Sequence, residues 1–353
     1  MTADSRPTPN AIRRARADHP ERRERDLARD LGISEAELVA AFCGKGVTRV
    51  TPSMSAICSA MAPVGEVMIL TRNDSAVHEK IGVFEKFVDG SRAGLMLGAN
   101  IDTRMFPGEW VHGFAVEKQT EHGPRRSLQI FDRHGDAVFK IHLRPASNLD
   151  AWNALIGSLT VEDQTAGLVE APKPAERTAR QPLDPSKQAP LRERWGAMND
   201  PHQFFGILRD LDLPRLNALE LAGDDYAWRL DGDAVLAMMR HAAAEQIPIM
   251  CFVGNRGCIQ IHSGPIAALK EMGPWMNVLD PTFHLHLRMD HIKDVWAVRK
   301  GADKGHVTSV EAFDGDGNHI IQFFGVRGEG NHERADWRSL VEKLPRMTEL
   351  QAV

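Results

Sequence analysis

The stretch VEKQTEHGPRRSLQIFDRHG at residues 116–135 returns, diverged, as VRKGADKGHVTSVEAFDGDG at residues 298–317. Val116, Lys118, Ser127, Phe131, Asp132 and Gly135 recur as Val298, Lys300, Ser309, Phe313, Asp314 and Gly317, a constant shift of 182 positions. That period is far longer than any solenoid repeat, so the chain reads as two diverged copies of one domain. Upstream, Arg29-Asp30-Leu31 returns as Arg209-Asp210-Leu211, shifted by 180, so both copies open on a matching helix. Function is expected where the copies differ. Arg22 of the first copy is matched by His202 in the second, which alone places an imidazole near the start of its helix.

Within the first copy, Leu27, Leu31, Ala36, Leu38, Val39 and Phe42 fall at helical spacing, and Ser34 opens a Ser-x-x-Glu capping box with Glu37. The segments EVMILTRN, EKIGVFEKF, NIDTRMF, WVHGFAVEK, RSLQIFD and AVFKIHLR follow, separated by Gly, Asn and Asp turns, and predict antiparallel strands. DAWNALIGSL closes the copy as an amphipathic helix with Asp150 as its expected cap. The second copy repeats the plan in PIMCFV, CIQIHSG, FHLHLRM, DVWAVRK, VTSVEAFD and HIIQFFGVR, then the helix DWRSLVEKL. The predicted class is α+β, a tandem duplication in which each half is a large antiparallel β-sheet with flanking helices. The expected divisions are residues 1–160, a Pro-rich linker at 161–192, and 193–353.

A length of 353 residues suits two domains that each bury a core without metals or disulfides. The 42% hydrophobic and 26% charged content is that of a globular chain, and no apolar run approaches a membrane span. The N-terminus carries arginines without a following apolar stretch, so no secretory signal is expected and the predicted location is the cytoplasm. A formal charge of −5 argues against a nucleic-acid binder. Arginines 13 to 29 are interrupted by Asp18, Glu21, Glu24 and Asp26 and read as an ion-paired helix face. Cys43, Cys58, Cys251 and Cys258 form no C-x-x-C pair and read as buried thiols.

In NDPHQFFGILRDL, Asn199 or Asp200 is the expected cap, with Pro201 first in the helix and His202 second, facing an apolar setting. The positive end of a helix disfavours imidazolium, and a neutral imidazole can ligate a metal, although a lone histidine at a helix start is usually just solvated or hydrogen-bonded. Arg104 in IDTRMF can hold a polar ligand by charge-assisted hydrogen bonds, or simply pair with Asp102. His284 and His286 share one face of a strand, a zinc-like spacing if His291 or Asp290 joins them. FDGDGN imitates the start of a calcium loop but lacks its sixth-place glycine and closing glutamate, so it reads as a hairpin turn. GNRG at 254–257 reads as a tight turn and not a phosphate cradle.

The segments DLARDLGISEAELVAA (26–41), NIDTRMFPGEWVHGFAV (100–116), DPHQFFGILRDL (200–211), GNRGCIQIHSGPI (254–266), NVLDPTFHLHLRMDHIKDVWAVRK (277–300) and VTSVEAFDGDGNHIIQFFGVRGEG (307–330) resemble the HemS/HmuS/ChuS family of bacterial haemin-utilisation proteins. The resemblance spans nearly the whole chain apart from the tail and linker. It implies two similar halves holding one haem b in a cleft, His202 as the proximal iron ligand, and Arg104 facing the opposite side of the haem. It further implies that Lys300 and Arg327 meet the propionates, with Gln322 adding a polar contact; the plainer reading of both cations is a solvated strand end. The last segment lacks the tyrosine that some relatives carry there.

The function so implied is binding of haem for iron utilisation, by transfer, by degradation, or by both. No flavin or nicotinamide fingerprint is present, so degradation would need an external reductase. Expected partners are a haem-uptake transporter or a haem-accepting protein. The alternative from another class is a haem-independent protein-interaction module in which His202 is incidental.

Overall fold

The computed structural model describes residues 6–168, 170–175, 180–327 and 332–347. The first half runs α1 (Pro9–Asp18), α2 (Glu24–Asp30), α3 (Glu35–Ala40), β1 (Val47–Val50), α4 (Met54–Ala60), β2 (Val67–Arg72), β3 (Ala76–Gly82), β4 (Lys86–Val88), β5 (Gly94–Leu97), β6 (Asp102–Met105), β7 (His112–Thr120), β8 (Gly123–Phe131), β9 (Ala137–Leu143) and α5 (Leu149–Leu159). The second runs α6 (Gln188–Gly196), α7 (Gln203–Asp210), α8 (Arg215–Ala222), β10 (Ala227–Leu230), α9 (Ala234–Ala244), β11 (Ile249–Gly254), β12 (Cys258–Gly264), β13 (Leu269–Met272), β14 (Trp275–Leu279), β15 (Phe283–Arg288), β16 (Asp294–Ala302), β17 (Gly305–Phe313), β18 (His319–Gly325) and α10 (Ala335–Glu342).

The α+β class, the antiparallel pairing and the duplication hold at the level of single residues. The β7–β8 and β16–β17 hairpins turn on Gly123 (φ 97°) and Gly305 (φ 100°), equivalent positions whose left-handed backbone suits a residue without Cβ. Each is followed by a register shift at equivalent residues, Ile130/Phe131 and Ala312/Phe313. Strand β2 buries Val67, Ile69 and Thr71 in alternation, and β11 buries Ile249, Cys251 and Val253, the same positions shifted by 182. Both sheet faces are covered. On β7, Ala115 joins a core with α4 and α5 while Phe114 and Val116 pack with α3 on the other face. On β16, Val295 and Ala297 join α9 and α10 while Trp296 and Val298 join α6, α7 and α8.

The duplication is interwoven rather than simply tandem. Among the described residues the strands form two nine-stranded sheets, ordered β1-β7-β8-β9-β2-β3-β15-β14-β13 and β10-β16-β17-β18-β11-β12-β6-β5-β4. By its internal contacts the chain divides into two compact units. Met1–Arg72, Glu79–Glu176 and Gly254–Gln260 make the first; Asn73–His78, Arg177–Val253 and Ile261–Val353 make the second. Each unit therefore takes a short segment from the opposite half of the sequence.

One asparagine secures each borrowed segment. In the first unit, Asn255 Nδ2 donates to the carbonyls of Arg72 (3.0 Å) and Val138 (2.9 Å), while its Oδ1 accepts from the backbone N–H groups of Gly257 and Cys258, both at 2.9 Å. In the second, Asn73 Nδ2 donates to the carbonyl of Ile320 (2.8 Å), and Oδ1 accepts from Ser75 (2.9 Å) and Ala76 (2.8 Å). Asn73 and Asn255, like Val138 and Ile320, stand 182 residues apart. Trp110 Nε1 and the Phe106 N–H add bonds to the Gly257 carbonyl at 3.1 and 2.9 Å.

Local expectations hold with three shifts. Ser34 and Glu37 form the capping box, the four cysteines are buried and unbridged, and GNRG and FDGDGN are hairpin turns. Asn148, not Asp150, caps α5, because its side chain reaches the N–H groups of Asp150 and Ala151. The last part of the proline-rich stretch forms α6 from Gln188, with Pro190 in the first turn, where no N–H is required. Helix α7 begins at Gln203, so His202 precedes it as the N-cap residue. In the Arg-rich stretch Arg29 pairs with Asp26 on α2 as expected, whereas Arg22, in the turn between α1 and α2, pairs with Asp30.

Truncating either asparagine leaves backbone groups without partners, so Asn255→Ala and Asn73→Ala should each cost about 1–3 kcal/mol. Urea unfolding of the two variants checks this, and near-equal losses are expected from equivalent positions.

Candidate functional site

Two of the residues singled out in the second copy, Lys300 and Gln322, meet in the second unit on the sheet face covered by α6, α7 and α8. Glu311 on β17 and Gln322 on β18 stand directly opposite each other, and Lys300, four positions along β16 from Trp296, the register partner of Glu311, reaches the same carboxylate through its long side chain. Lys300 is not a solvated strand end: its side chain is 4% exposed, and Nζ donates to Glu311 Oε1 at 2.8 Å. Arg215, at the start of α8, donates to both Glu311 oxygens (Nε to Oε2 2.7 Å, Nη2 to Oε1 2.8 Å) and to Gln322 Oε1 at 2.9 Å. Ser309 Oγ adds a bond to Glu311 Oε1 at 2.8 Å. Above this network lies α7, whose Phe204 ring sits 4.8 Å from Lys300 Nζ and 5.4 Å from the Arg215 guanidinium.

Two cations share one buried carboxylate, and the titration behaviour follows. Burial works to raise the Glu311 carboxyl, but the charges of Arg215 and Lys300 outweigh it and hold that group well below the usual range. Burial, reinforced by Arg215 and opposed by Glu311, lowers the Lys300 ammonium to about 8. His319 is pushed down to about 3, first by burial and then by Arg215, so it stays neutral near pH 7.

The first copy solves the same packing problem differently. Glu35, which stands where Arg215 does under the 180-residue shift, pairs with the buried Lys140, the equivalent of Gln322. Gln129 replaces Glu311. One anion then meets one cation in that pair, whereas the second unit keeps a surplus positive charge under α7.

His202 departs from its expected surroundings. Its side chain is 86% exposed instead of facing apolar residues, because it lies ahead of α7 and not within it. Asp200 Oδ1 accepts from the His202 backbone N–H at 2.9 Å and stands 2.7 Å from its Nδ1. In a neutral ring, Nδ1–H donation to this carboxylate leaves the lone pair on Nε2. The two bonds from His202, backbone first, hold the Asp200 carboxyl below its ordinary value, and Arg327 contributes its charge. Arg327 is exposed just beyond β18, and Phe205 is 56% exposed on α7 with its ring 5.6 Å from Arg215. Large exposed aromatics are uncommon on a solvated helix, and this one lies three residues from an exposed imidazole.

Arg104 belongs to the first unit. It lies on β6, one-third exposed, paired with Asp102 and donating to the Thr103 carbonyl at 3.2 Å. The simple ion pair with Asp102 is therefore present. The zinc-like histidines do not assemble: among the described residues no group of three or more His, Cys, Asp or Glu can hold a metal ion. Instead His286 Nδ1 meets Asn277 Oδ1 (2.6 Å), His291 Nδ1 meets Ser75 Oγ (3.0 Å), and Asp290 takes a two-point bond from Arg288. Arg215 and Glu311 were missed from sequence; the signal was available in the reversal of Glu35 to Arg215 between copies. Among the described residues no helix is long and apolar enough to cross a membrane.

Comparison with known proteins returns one family description, "Haemin-degrading HemS.ChuX domain", matched twice, over residues 32–159 and 212–344. The hemin transport protein HmuS of Yersinia pestis is 37% identical over 334 residues, covering 94% of this chain and 95% of that one. The hemin transport protein HemS of Yersinia enterocolitica is 38% identical with the same coverage. Among solved structures, holo-PhuS, a heme-binding protein from Pseudomonas aeruginosa, superposes with a TM-score of 0.90 at 41% identity, covering 96% of this chain and 98% of that chain. The heme-degrading enzyme ChuS of Escherichia coli O157:H7 superposes with a TM-score of 0.85 at 34% identity, covering 94% and 97%.

Glu311→Gln would leave the buried Lys300 and the largely buried Arg215 without their anion, and should destabilise the protein by about 3–5 kcal/mol in urea unfolding at pH 7. Lys300 gives a pH-dependent counterpart. Its folded proton leaves near pH 8 and its unfolded proton near 10.5, so the unfolded chain binds more protons between those values. Folding stability contributed by this group therefore rises as pH increases from about 8 to about 10.5, and Lys300→Met should remove that rise.

Proposed function

Because the chain belongs to the haemin-degrading HemS/ChuX family, carrying its domain twice, we propose that it binds one haem b through His202 and serves haem-iron utilisation. The observation that carries this reading is the exposed His202 imidazole, held by Asp200 through Nδ1 so that Nε2 is available, with exposed Phe205 and Arg327 in the same unit. Apolar surface, cation and nitrogen donor are what a porphyrin with two carboxylates and a metal requires.

Each residue has a task in this proposal. His202 Nε2 ligates iron. Arg327 meets a propionate from the surface, and the surplus charge of the Lys300–Glu311–Arg215 network favours the second carboxylate near Gln322. Lys300 uses one of its three donors on Glu311, which leaves its others available. Arg104 is assigned to the opposite side of the haem, where its guanidinium offers charge-assisted hydrogen bonds to a polar ligand once its pairing with Asp102 is shared. Bound iron supplies one-electron and Lewis-acid chemistry.

The relatives' names divide between transport, for HmuS, and heme oxygenase, for ChuS. This chain is proposed to act in the cytoplasm, accepting haem from an uptake transporter and passing it on, with ring opening when an external reductase supplies electrons. Hemin titration should give a saturable, one-equivalent Soret shift, and His202→Ala should weaken binding at least roughly tenfold. Unaltered affinity in that variant would sink the ligand assignment. Adding reductant under air, with catalase present to remove free peroxide, then divides the activities: a persistent Soret band marks a carrier, and its loss marks enzymatic ring opening that Arg104→Ala should slow.

A further inference from the structure

The structure assigns to Asp200 a positioning role: its carboxylate fixes the tautomer and orientation of His202 and strengthens that ring as a nitrogen donor. This rests on the reading of His202 as the haem ligand. The geometry is specific. A single oxygen, Oδ1, accepts from the His202 backbone N–H at 2.9 Å and stands 2.7 Å from Nδ1 of the same residue. The backbone bond anchors the main chain of His202 and the ring bond anchors the imidazole, so main chain and ring are tied to one atom. The main chain that carries Asp200 is held in turn, because Gln203 Oε1 accepts from the backbone N–H groups of Asn199 (3.1 Å) and Asp200 (3.3 Å).

Physical consequences follow from the exposure of the ring. An imidazole 86% open to water has no packing to hold its rotamer or choose which nitrogen carries the proton. Without Asp200 either tautomer is available, and the Nε2–H form cannot ligate through that nitrogen. With it, the proton is drawn to Nδ1, Nε2 is presented outward before any ligand arrives, and partial proton sharing with a carboxylate raises donor strength. A metal-bound histidine commonly gains this from a second group, and here the partner lies two residues away on the same turn. The first copy lacks the arrangement, because Arg22 occupies the position of His202 and pairs with Asp30.

The experiment compares Asp200→Ala, which removes the acceptor, with Asp200→Asn, which keeps an acceptor oxygen but no charge. In the ligand-free protein, ¹⁵N NMR of the imidazoles, with His202→Ala for assignment, should show His202 as the Nδ1–H tautomer. In Asp200→Ala it should become a mixture. In the hemin-loaded, reduced protein, the iron–histidine stretching frequency should fall in Asp200→Ala and fall less in Asp200→Asn. Haem dissociation should accelerate by about 10–100-fold in Asp200→Ala, with Asp200→Asn between it and the parent. Circular dichroism of each variant guards against loss of α7. An unchanged stretching frequency and a dissociation rate within twofold of the parent, while His202→Ala still loses haem, would overturn the role of Asp200 and leave the ligand assignment standing. If His202→Ala binds hemin like the parent, the assignment and this inference fall together.

Discussion

The exchange of segments between the two halves of the sequence is anchored where two asparagine side chains bond. Asn73 and Asn255 each sit at the entry of a segment that the sequence assigns to one half and the folded units assign to the other. A side-chain amide offers donors and an acceptor on one rigid plane, so it can close a local turn with its oxygen and grip a neighbouring strand with its nitrogen. Asn255 does this against Val138, and Asn73 against Ile320, the same pairing written twice. Apolar packing completes each insertion: Cys258 joins the core of the first unit, and Ala76 that of the second.

Upon this shared scaffold the two copies diverge at their polar centres. A helix position carrying Glu35 in one and Arg215 in the other changes which strand residue must answer it, Lys140 or Glu311. Both solutions satisfy burial. Only the second leaves excess positive charge beneath a helix that begins with an exposed histidine, and this asymmetry supports placing the ligand there.

Much of this was legible in the chain. The 182-residue shift predicts the duplicated strands, hairpins and turns because glycine, asparagine and aspartate positions that fix backbone geometry change slowly in kind. The capping box of α3 and the burial of the four cysteines were readable from local pattern alone. Strand exchange was not, since period-2 alternation reports a buried face and says nothing of which strand lies alongside. Lys300 read as a strand terminus because its partners Arg215 and Glu311 are distant in sequence or masked among apolar neighbours. The setting of His202 was misjudged through a shift of about a residue at the helix start: placed second in a helix it would face the core, and placed before the helix it faces water.

Reciprocal exchange also orders events during synthesis. Val138 leaves the ribosome more than a hundred residues before Asn255, which at ordinary elongation rates of about 5–20 residues per second is a delay of roughly 6–23 s. Throughout that interval the carbonyls of Arg72 and Val138 lack their amide partner, and the early-made unit waits with an unfinished margin.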